Sequence, residues 1–108
     1  MNICHINLLF PILLLTASGV CLADANLAQG NGCLECHGVD KKIIGPAIND
    51  IAAKYINNPA ARTALIDKVK KGGKGNWTEV TGGVLMPPFS PRISDADIAR
   101  LVDWMLSH

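Results

Sequence analysis

Two cysteines and a histidine stand within five residues of one another in the segment Cys33-Leu34-Glu35-Cys36-His37. Cys-x-x-Cys-His is the pattern through which c-type haem is attached covalently. In a helical segment the two thiols lie about one turn apart, so each can add to one vinyl group of the same macrocycle. The histidine that follows brings a ring nitrogen to the iron as an axial ligand. The motif therefore predicts one haem c, bound through Cys33 and Cys36 and ligated by His37.

Three other kinds of site use closely spaced cysteines, and each fits this sequence less well. A disulfide between Cys33 and Cys36 closes only a very small loop and stabilises the chain little. A thioredoxin-like redox pair requires a βαβ context, and no segment alternates convincingly enough to be a strand. A zinc site needs further ligands. After the motif, the sequence contains no cysteine and only one histidine, His108. Covalent haem is the favoured interpretation.

Two methionines and one histidine are candidates for the second axial position of the iron. Met86 lies in a Gly- and Pro-rich stretch and precedes Pro87-Pro88, which stiffens the backbone and prevents a helix. Met105 falls on the apolar face of a predicted helix, so we expect it to pack in the core. His108 is the last residue, and chain ends are poorly held. We predict ligation by His37 and Met86 rather than a five-coordinate iron.

The segments that must position these residues have helical periodicity. Apolar residues recur at helical spacing over residues 47–56. Asn58-Pro59 is typical of a helix start, and Gly72-Gly73 of the end of that helix. A last helix begins at Ser94, with Asp97 as its partner in a capping-box-like pair. These patterns predict three helices after the cysteine motif.

One short helix and one long loop complete the predicted fold. Residues 24–31 are expected to form one to two helical turns that lead into the motif, with Asp24 as a candidate N-cap. Residues 71–93 show no periodicity and are expected to form a loop that carries Met86. The fold class is therefore all-α, with about four short helices and this loop wrapped around the haem. Six apolar side chains are expected to surround the macrocycle: Ile44, Ile48, Leu65, Val69, Leu85 and Leu101.

Six motifs follow one another in a characteristic order: CLECH at 33–37, IGPA at 44–47, DIAAKY at 50–55, GNW at 75–77, MPP at 86–88, and the segment 94–104. In order and spacing they resemble the small bacterial class I cytochromes c of the c-551/c-552 type, over essentially all of residues 24–108. The resemblance implies that the Pro46 carbonyl accepts the His37 ring N–H and orients the ring. It also implies that Trp77 and Lys68 bind a haem propionate. The stretch between Trp77 and Met86 is a few residues longer than in such proteins.

The N-terminal segment has the character of a targeting signal. Residues 1–23 carry no charged side chain, whereas all ten Lys/Arg and all nine Asp/Glu lie from Asp24 onward. An apolar run at 8–15 followed by small residues is typical of a secretory signal peptide, and we expect cleavage after Ala23. A retained membrane anchor and a lipid-modified Cys21 are the alternatives. We therefore expect a signal peptide at 1–23, a cytochrome c domain at 24–108, and a location in the periplasm.

An iron whose two axial positions are filled by protein has no open site for a substrate, which indicates one-electron transfer rather than enzyme catalysis. The net charge of +1 argues against a nucleic-acid partner. We expect a soluble monomer that cycles between Fe(III) and Fe(II) and has no small-molecule substrate. The resemblance implies transient respiratory partners, a quinol-oxidising complex upstream and a terminal oxidase or nitrite reductase downstream. The alternatives are a haem subunit held in an oxidoreductase complex, and a haem enzyme or gas sensor whose iron Met86 does not bind.

Four lysines cluster shortly before Trp77: Lys68, Lys70, Lys71 and Lys74. Lysines are favoured at a helix C-terminus by the helix dipole, so the cluster is explained by a solvated helix end. The same lysines also fit a basic rim that increases the association rate with an acidic partner. The sequence leaves both interpretations open.

Overall fold

The computed structural model describes the backbone of residues 17–108 and the side chains of residues 23–108. This part of the chain forms six helices: α1 (Ala17–Gly30), α2 (Cys33–Cys36), α3 (Ile48–Tyr55), α4 (Ala61–Lys71), α5 (Thr78–Thr81) and α6 (Asp95–Leu106). Two isolated antiparallel bridges, His37 with Lys42 and Gly73 with Met86, are its only β pairings. The all-α class is confirmed, with six helices instead of about four.

Helix α6 is the central packing element, because α1, α3 and α4 all contact it. The Ser94 hydroxyl accepts a hydrogen bond from the Asp97 N–H at 3.2 Å, which confirms the predicted cap. Ile98, Leu101 and Val102 on the inner face are buried. Residues outside the helix complete the core: Ala28, Phe89 and Ile93 pack with Ile98 and Leu101.

Helices α3 and α4 follow the sequence prediction closely, except at one boundary. Helix α4 begins at Ala61, two residues after the predicted first helical position, so the prediction was wrong there. The side chain of Asn58 accepts a hydrogen bond from the Ala60 N–H at 3.0 Å. Asn58 therefore stabilises the turn before the helix rather than the helix itself. The predicted end is confirmed, because Gly72 follows Lys71 with a φ of 64°.

Helix α1 is longer than predicted, since it starts at Ala17. Asp24 lies inside this helix, so its prediction as an N-cap was wrong for the chain described here. Its carboxylate accepts a hydrogen bond from the Arg100 guanidinium at 2.7 Å and ties α1 to α6. Of the predicted signal peptide, residues 1–16 lie outside the described residues, and the predicted cleavage point falls within α1. No helix among the described residues is both long enough and apolar enough to cross a bilayer.

The stretch 71–93, expected to lack regular structure, is more ordered than predicted. It contains α5 and the bridge in which the Gly73 N–H donates to the Met86 carbonyl at 2.8 Å and the Met86 N–H donates back at 3.3 Å. Beyond the bridge, the Phe89 N–H donates to the Val69 carbonyl at 3.1 Å. The Met-bearing segment is thereby fixed along the C-terminal end of α4.

Candidate functional site

A cavity of about 470 Å³ lies between α3, α4, the segment after α2 and the long loop. A volume of this size is typical of sites for small molecules and cofactors. It brings together six of the seven residues singled out from the sequence: Cys36, His37, Pro46, Lys68, Trp77 and Met86. Residues far apart in the chain thus converge on one space.

Cys33, the seventh residue, stands one helical turn before Cys36 at the start of α2. It does not line the cavity as described, and its half-buried side chain packs against the core. No disulfide joins the two cysteines. Burial raises the pKa of the Cys33 thiol above its ordinary value, and the neutral S–H is therefore the form this site favours.

The orientation of the His37 ring is fixed by the turn that follows the motif. Its Nδ1 lies 2.8 Å from the carbonyl oxygen of Pro46. A carbonyl oxygen only accepts hydrogen bonds, so Nδ1 must carry the proton. In the neutral ring Nε2 then keeps a free lone pair, which is the form that binds a metal ion. The contact predicted for Pro46 is present.

Gly45 makes this ring position sterically possible. A Cβ atom added at Gly45 would lie 2.5 Å from His37 Cε1 and 2.8 Å from Nδ1. Such contacts are far inside van der Waals distance, so a larger residue would displace the imidazole. The Gly-Pro pair therefore acts as a unit, in which Gly45 leaves space for the ring and Pro46 bonds to it.

Met86 is held through its backbone, by the bridge to Gly73. Gly72, just before the bridge, has a positive φ of 64°. An added Cβ there would collide with the Met86 carbonyl oxygen and would lie 2.7 Å from the Pro88 nitrogen. The segment carrying Met86 can approach α4 this closely only because residue 72 is glycine. The sequence signalled Gly72 as a helix end, but not this second role.

Trp77 and Lys68 lie at the same cavity, in different surroundings. Trp77 is half-buried and immediately precedes α5. The Lys68 ammonium donates to the Lys74 carbonyl at 2.7 Å and approaches the Gly72 carbonyl at 3.4 Å. Lys68 therefore supports the backbone of the loop. Its predicted bond to a propionate stays a prediction, as does that of Trp77.

Most of the cavity wall is apolar, and four of the six predicted contacts line it: Ile44, Leu65, Val69 and Leu85. The prediction was wrong for Ile48 and Leu101, which are buried elsewhere and do not line the cavity. The sequence analysis missed Ile51, Tyr55 and Val84, and it assigned Met105 to the core although that side chain lines the cavity. Helical periodicity finds buried positions, but it does not distinguish a cavity wall from a core.

The residues present fit a covalent haem. The cavity offers an imidazole whose Nε2 is not used by the Pro46 contact, a thioether and mainly apolar walls, and the two cysteines lie on the adjoining helical turn. This is the donor set of a haem c with His/Met ligation. The part of the chain with described side chains contains no group of three or more His, Cys, Asp or Glu residues arranged to hold a metal ion.

Comparison with known proteins gives the same class. The family model described as "Cytochrome c" matches residues 25–108. Cytochrome c-552 of Nitrosomonas europaea is 45% identical over 93 residues, covering 86% of this chain and 85% of that protein. Cytochrome c-551 of Allochromatium vinosum is 47% identical over 92 residues, covering 85% and 93%. The crystal structure of wild-type Nitrosomonas europaea cytochrome c552 superposes with a TM-score of 0.67 at 46% identity, covering 76% of this chain and 95% of that one.

Fold and site together define a small class I monohaem cytochrome c. The chain belongs to the cytochrome c family. As a member of that family it carries one covalently attached haem c and transfers electrons.

Proposed function

We propose that this chain is a periplasmic one-electron carrier whose haem is attached through Cys33 and Cys36 and ligated by His37 and Met86. The observation that supports it most strongly is the 2.8 Å contact of His37 Nδ1 with the Pro46 carbonyl, which leaves Nε2 free for the iron. Bound haem supplies a one-electron Fe(III)/Fe(II) couple. The chain's own residues ligate the haem, exclude water from it and provide the docking surface.

His37 and Met86 are the two residues that would ligate the haem iron. The hydrogen bond to Pro46 holds the imidazole in one tautomer. The bridge to Gly73 holds the backbone of Met86. A thioether favours the reduced iron more than a second imidazole does, and the apolar wall excludes water, so both raise the reduction potential. With both ligands supplied by the chain, the iron would have no open position for a substrate, which favours a carrier over an enzyme.

Three exposed apolar side chains at the cavity fit a transient docking contact. Ile44, Val84 and Leu85 line the cavity and are 43%, 58% and 60% exposed. Such residues allow a redox partner to approach without displacing charged groups. A carrier must also dissociate quickly, so a small interface is expected. We propose short-lived complexes of the monomer with respiratory redox proteins.

Two of the four clustered lysines are paired with carboxylates. The Lys70 ammonium lies 3.3 Å from an Asp95 carboxylate oxygen, and that of Lys71 lies 2.9 Å from Asp67. These carboxylates offset part of the local positive charge, and Lys68 bonds to backbone carbonyls. Of the two interpretations, the solvated helix end is the better supported.

The proposed periplasmic location requires that the chain be exported from the cytoplasm. We propose that residues 1–23 are a cleaved signal peptide. Cleavage after Ala23 leaves Asp24 at the first position of the remaining helix, where a carboxylate is favoured by the helix dipole. The same carboxylate holds Arg100 of α6, so the shortened helix keeps its link to the core.

Acidified acetone tests the attachment, because it extracts haem that is held only by iron ligation. The protein should be produced with its own leader in a host that attaches haem c. We expect the haem to stay on the protein, and a Cys33→Ala/Cys36→Ala variant to accumulate no holoprotein. Cys21→Ala, which changes only the proposed signal peptide, is the control for production and export and should bind haem normally. A double variant that retains haem at wild-type levels contradicts the attachment.

A further inference from the structure

Lys54, in the last turn of α3, makes a contact that neither the motif nor the axial ligands require. Its ammonium lies 4.3 Å from the centre of the Trp77 indole ring. It also lies 3.5 Å from the Asn76 carbonyl oxygen, at the outer limit of a hydrogen bond. A cation within about 6 Å of a tryptophan ring centre is attracted by the negative face of the ring. Lys54 thus contacts two consecutive residues, the backbone of Asn76 and the ring of Trp77.

The segment that Lys54 contacts has few other attachments. Helix α5 begins directly after Trp77, and it is absent from the extensive helix–helix packing of the described structure. Hydrogen bonds of residues 75–85 otherwise stay within the segment, as between Thr78 and Gly75 or between Gly83 and Thr81. Fixed points lie only at its two ends, where Lys68 binds the Lys74 carbonyl and Gly73 pairs with Met86. Between these two ends, the contact of the Lys54 ammonium with the Asn76 carbonyl is the polar link from the segment to the rest of the described chain.

Trp77 is the residue through which this contact reaches the cavity. It lines the main cavity and also a shallow neighbouring pocket formed with Lys54 and residues 75–80. An ammonium on the ring face restricts rotation of the indole about its side-chain torsions. Such a contact favours one direction of the indole N–H and one position of the ring at the edge of the cavity.

We propose that Lys54 is a positioning residue that fixes Trp77, and with it the segment 75–81, at the edge of the haem cavity. The inference builds on the proposed function, because the position of Trp77 matters to electron transfer only if that cavity holds the haem. The contact of Lys54 in α3 with the segment that contains α5 can nevertheless be measured in the holoprotein without measuring electron transfer.

Amide hydrogen exchange of the holoprotein, followed by NMR, tests the link. A cation–π contact at an exposed site corresponds to about two- to fivefold in a local opening equilibrium. The Val80 and Thr81 N–H groups both donate to the Trp77 carbonyl, and we expect Lys54→Gln to speed their exchange by about this factor. Exchange in α6, for example at Val102, should stay unchanged. Lys54→Arg retains a cation for the ring and should restore the wild-type rates.

Lys41→Gln is the matched control, because it removes the same charge from an exposed lysine elsewhere. Wild-type exchange in Lys54→Gln, an equal acceleration in Lys41→Gln, or no rescue by Lys54→Arg would each overturn the inference. The same samples also distinguish a failure of this inference about Lys54 from a failure of the proposed function. If wild-type holoprotein shows the spectrum of an iron bound by His and Met, the proposed ligation stands whatever the exchange rates show.

Discussion

Iron binding at this site depends on which nitrogen of the His37 imidazole carries the proton. His37 has two ring nitrogens, and only the acceptor role of the Pro46 carbonyl decides which of them carries the proton. The sequence places His37 next to the cysteines, but Pro46 is nine residues further along the chain. Its role was expected only from the resemblance to a known family. The structure supplies the physical reason: the Gly45 N–H donates to the Cys36 carbonyl at 2.8 Å, and this contact brings the neighbouring Pro46 carbonyl to the ring.

The two methionines at the cavity allow a test of the axial ligand. Met86→His should keep a six-coordinate iron and lower the reduction potential. The fall should be on the order of 0.1 V or more, within the roughly 0.8 V that axial ligands span. The reason is that imidazole loses the preference of the thioether for Fe(II). The potential is measured by equilibrium titration with a reference couple.

Met105→Leu is the control for that substitution, because Met105 lines the same cavity and leucine has nearly the same volume. We expect its potential to stay close to that of the wild type. The assignment of Met86 is wrong if Met105→Leu lowers the potential markedly and Met86→His does not.

At the level of the elements, the approach of the Met-bearing segment to α4 depends on Gly72. Gly72→Ala places a Cβ against the Met86 carbonyl at a positive φ, and we expect a loss of about 1–3 kcal/mol of unfolding free energy. Because the strain falls on the segment that carries Met86, the ferric protein should also show a weakened sulfur-to-iron charge-transfer band. Denaturant unfolding and optical absorption measure the two effects.

Gly82→Ala separates the clash from the cost of a positive φ alone. Gly82 has a φ of 62°, but no atom lies within 4 Å of an added Cβ. We expect a smaller loss of stability in this variant and an unchanged charge-transfer band. Equal effects of the two substitutions would show that the approach to Met86 is unimportant.

The elements also show how far the sequence alone predicts this fold. Ser94 and the apolar stripe of α6 were predicted because a cap and a 3.6-residue period are local signals. Helix α5 was missed because a helix of four residues is too short to show a period. Ile48 and Leu101 were misassigned to the cavity wall for a different reason: burial is encoded locally, but which space a side chain faces depends on how α3, α4 and α6 pack together.

At the scale of the whole molecule, the distribution of charge divides the chain into two parts. Every charged side chain lies from Asp24 onward. If the uncharged part is a cleaved signal peptide, the intact mass of the exported protein should equal that of residues 24–108 plus one haem. Mass spectrometry of the periplasmic fraction measures this. A lipid adduct on Cys21 or an intact N-terminus would indicate an anchored form instead.

The central claim is that both axial positions of a single haem are filled by the protein and that its iron exchanges one electron. An equilibrium redox titration of the purified wild-type protein, monitored by optical spectra, tests this most directly. We predict one transition that fits a single electron, between a low-spin ferric form with a sulfur-to-iron charge-transfer band and a low-spin ferrous form. A high-spin spectrum without that band would contradict the account, because it would mean that Met86 leaves the iron open.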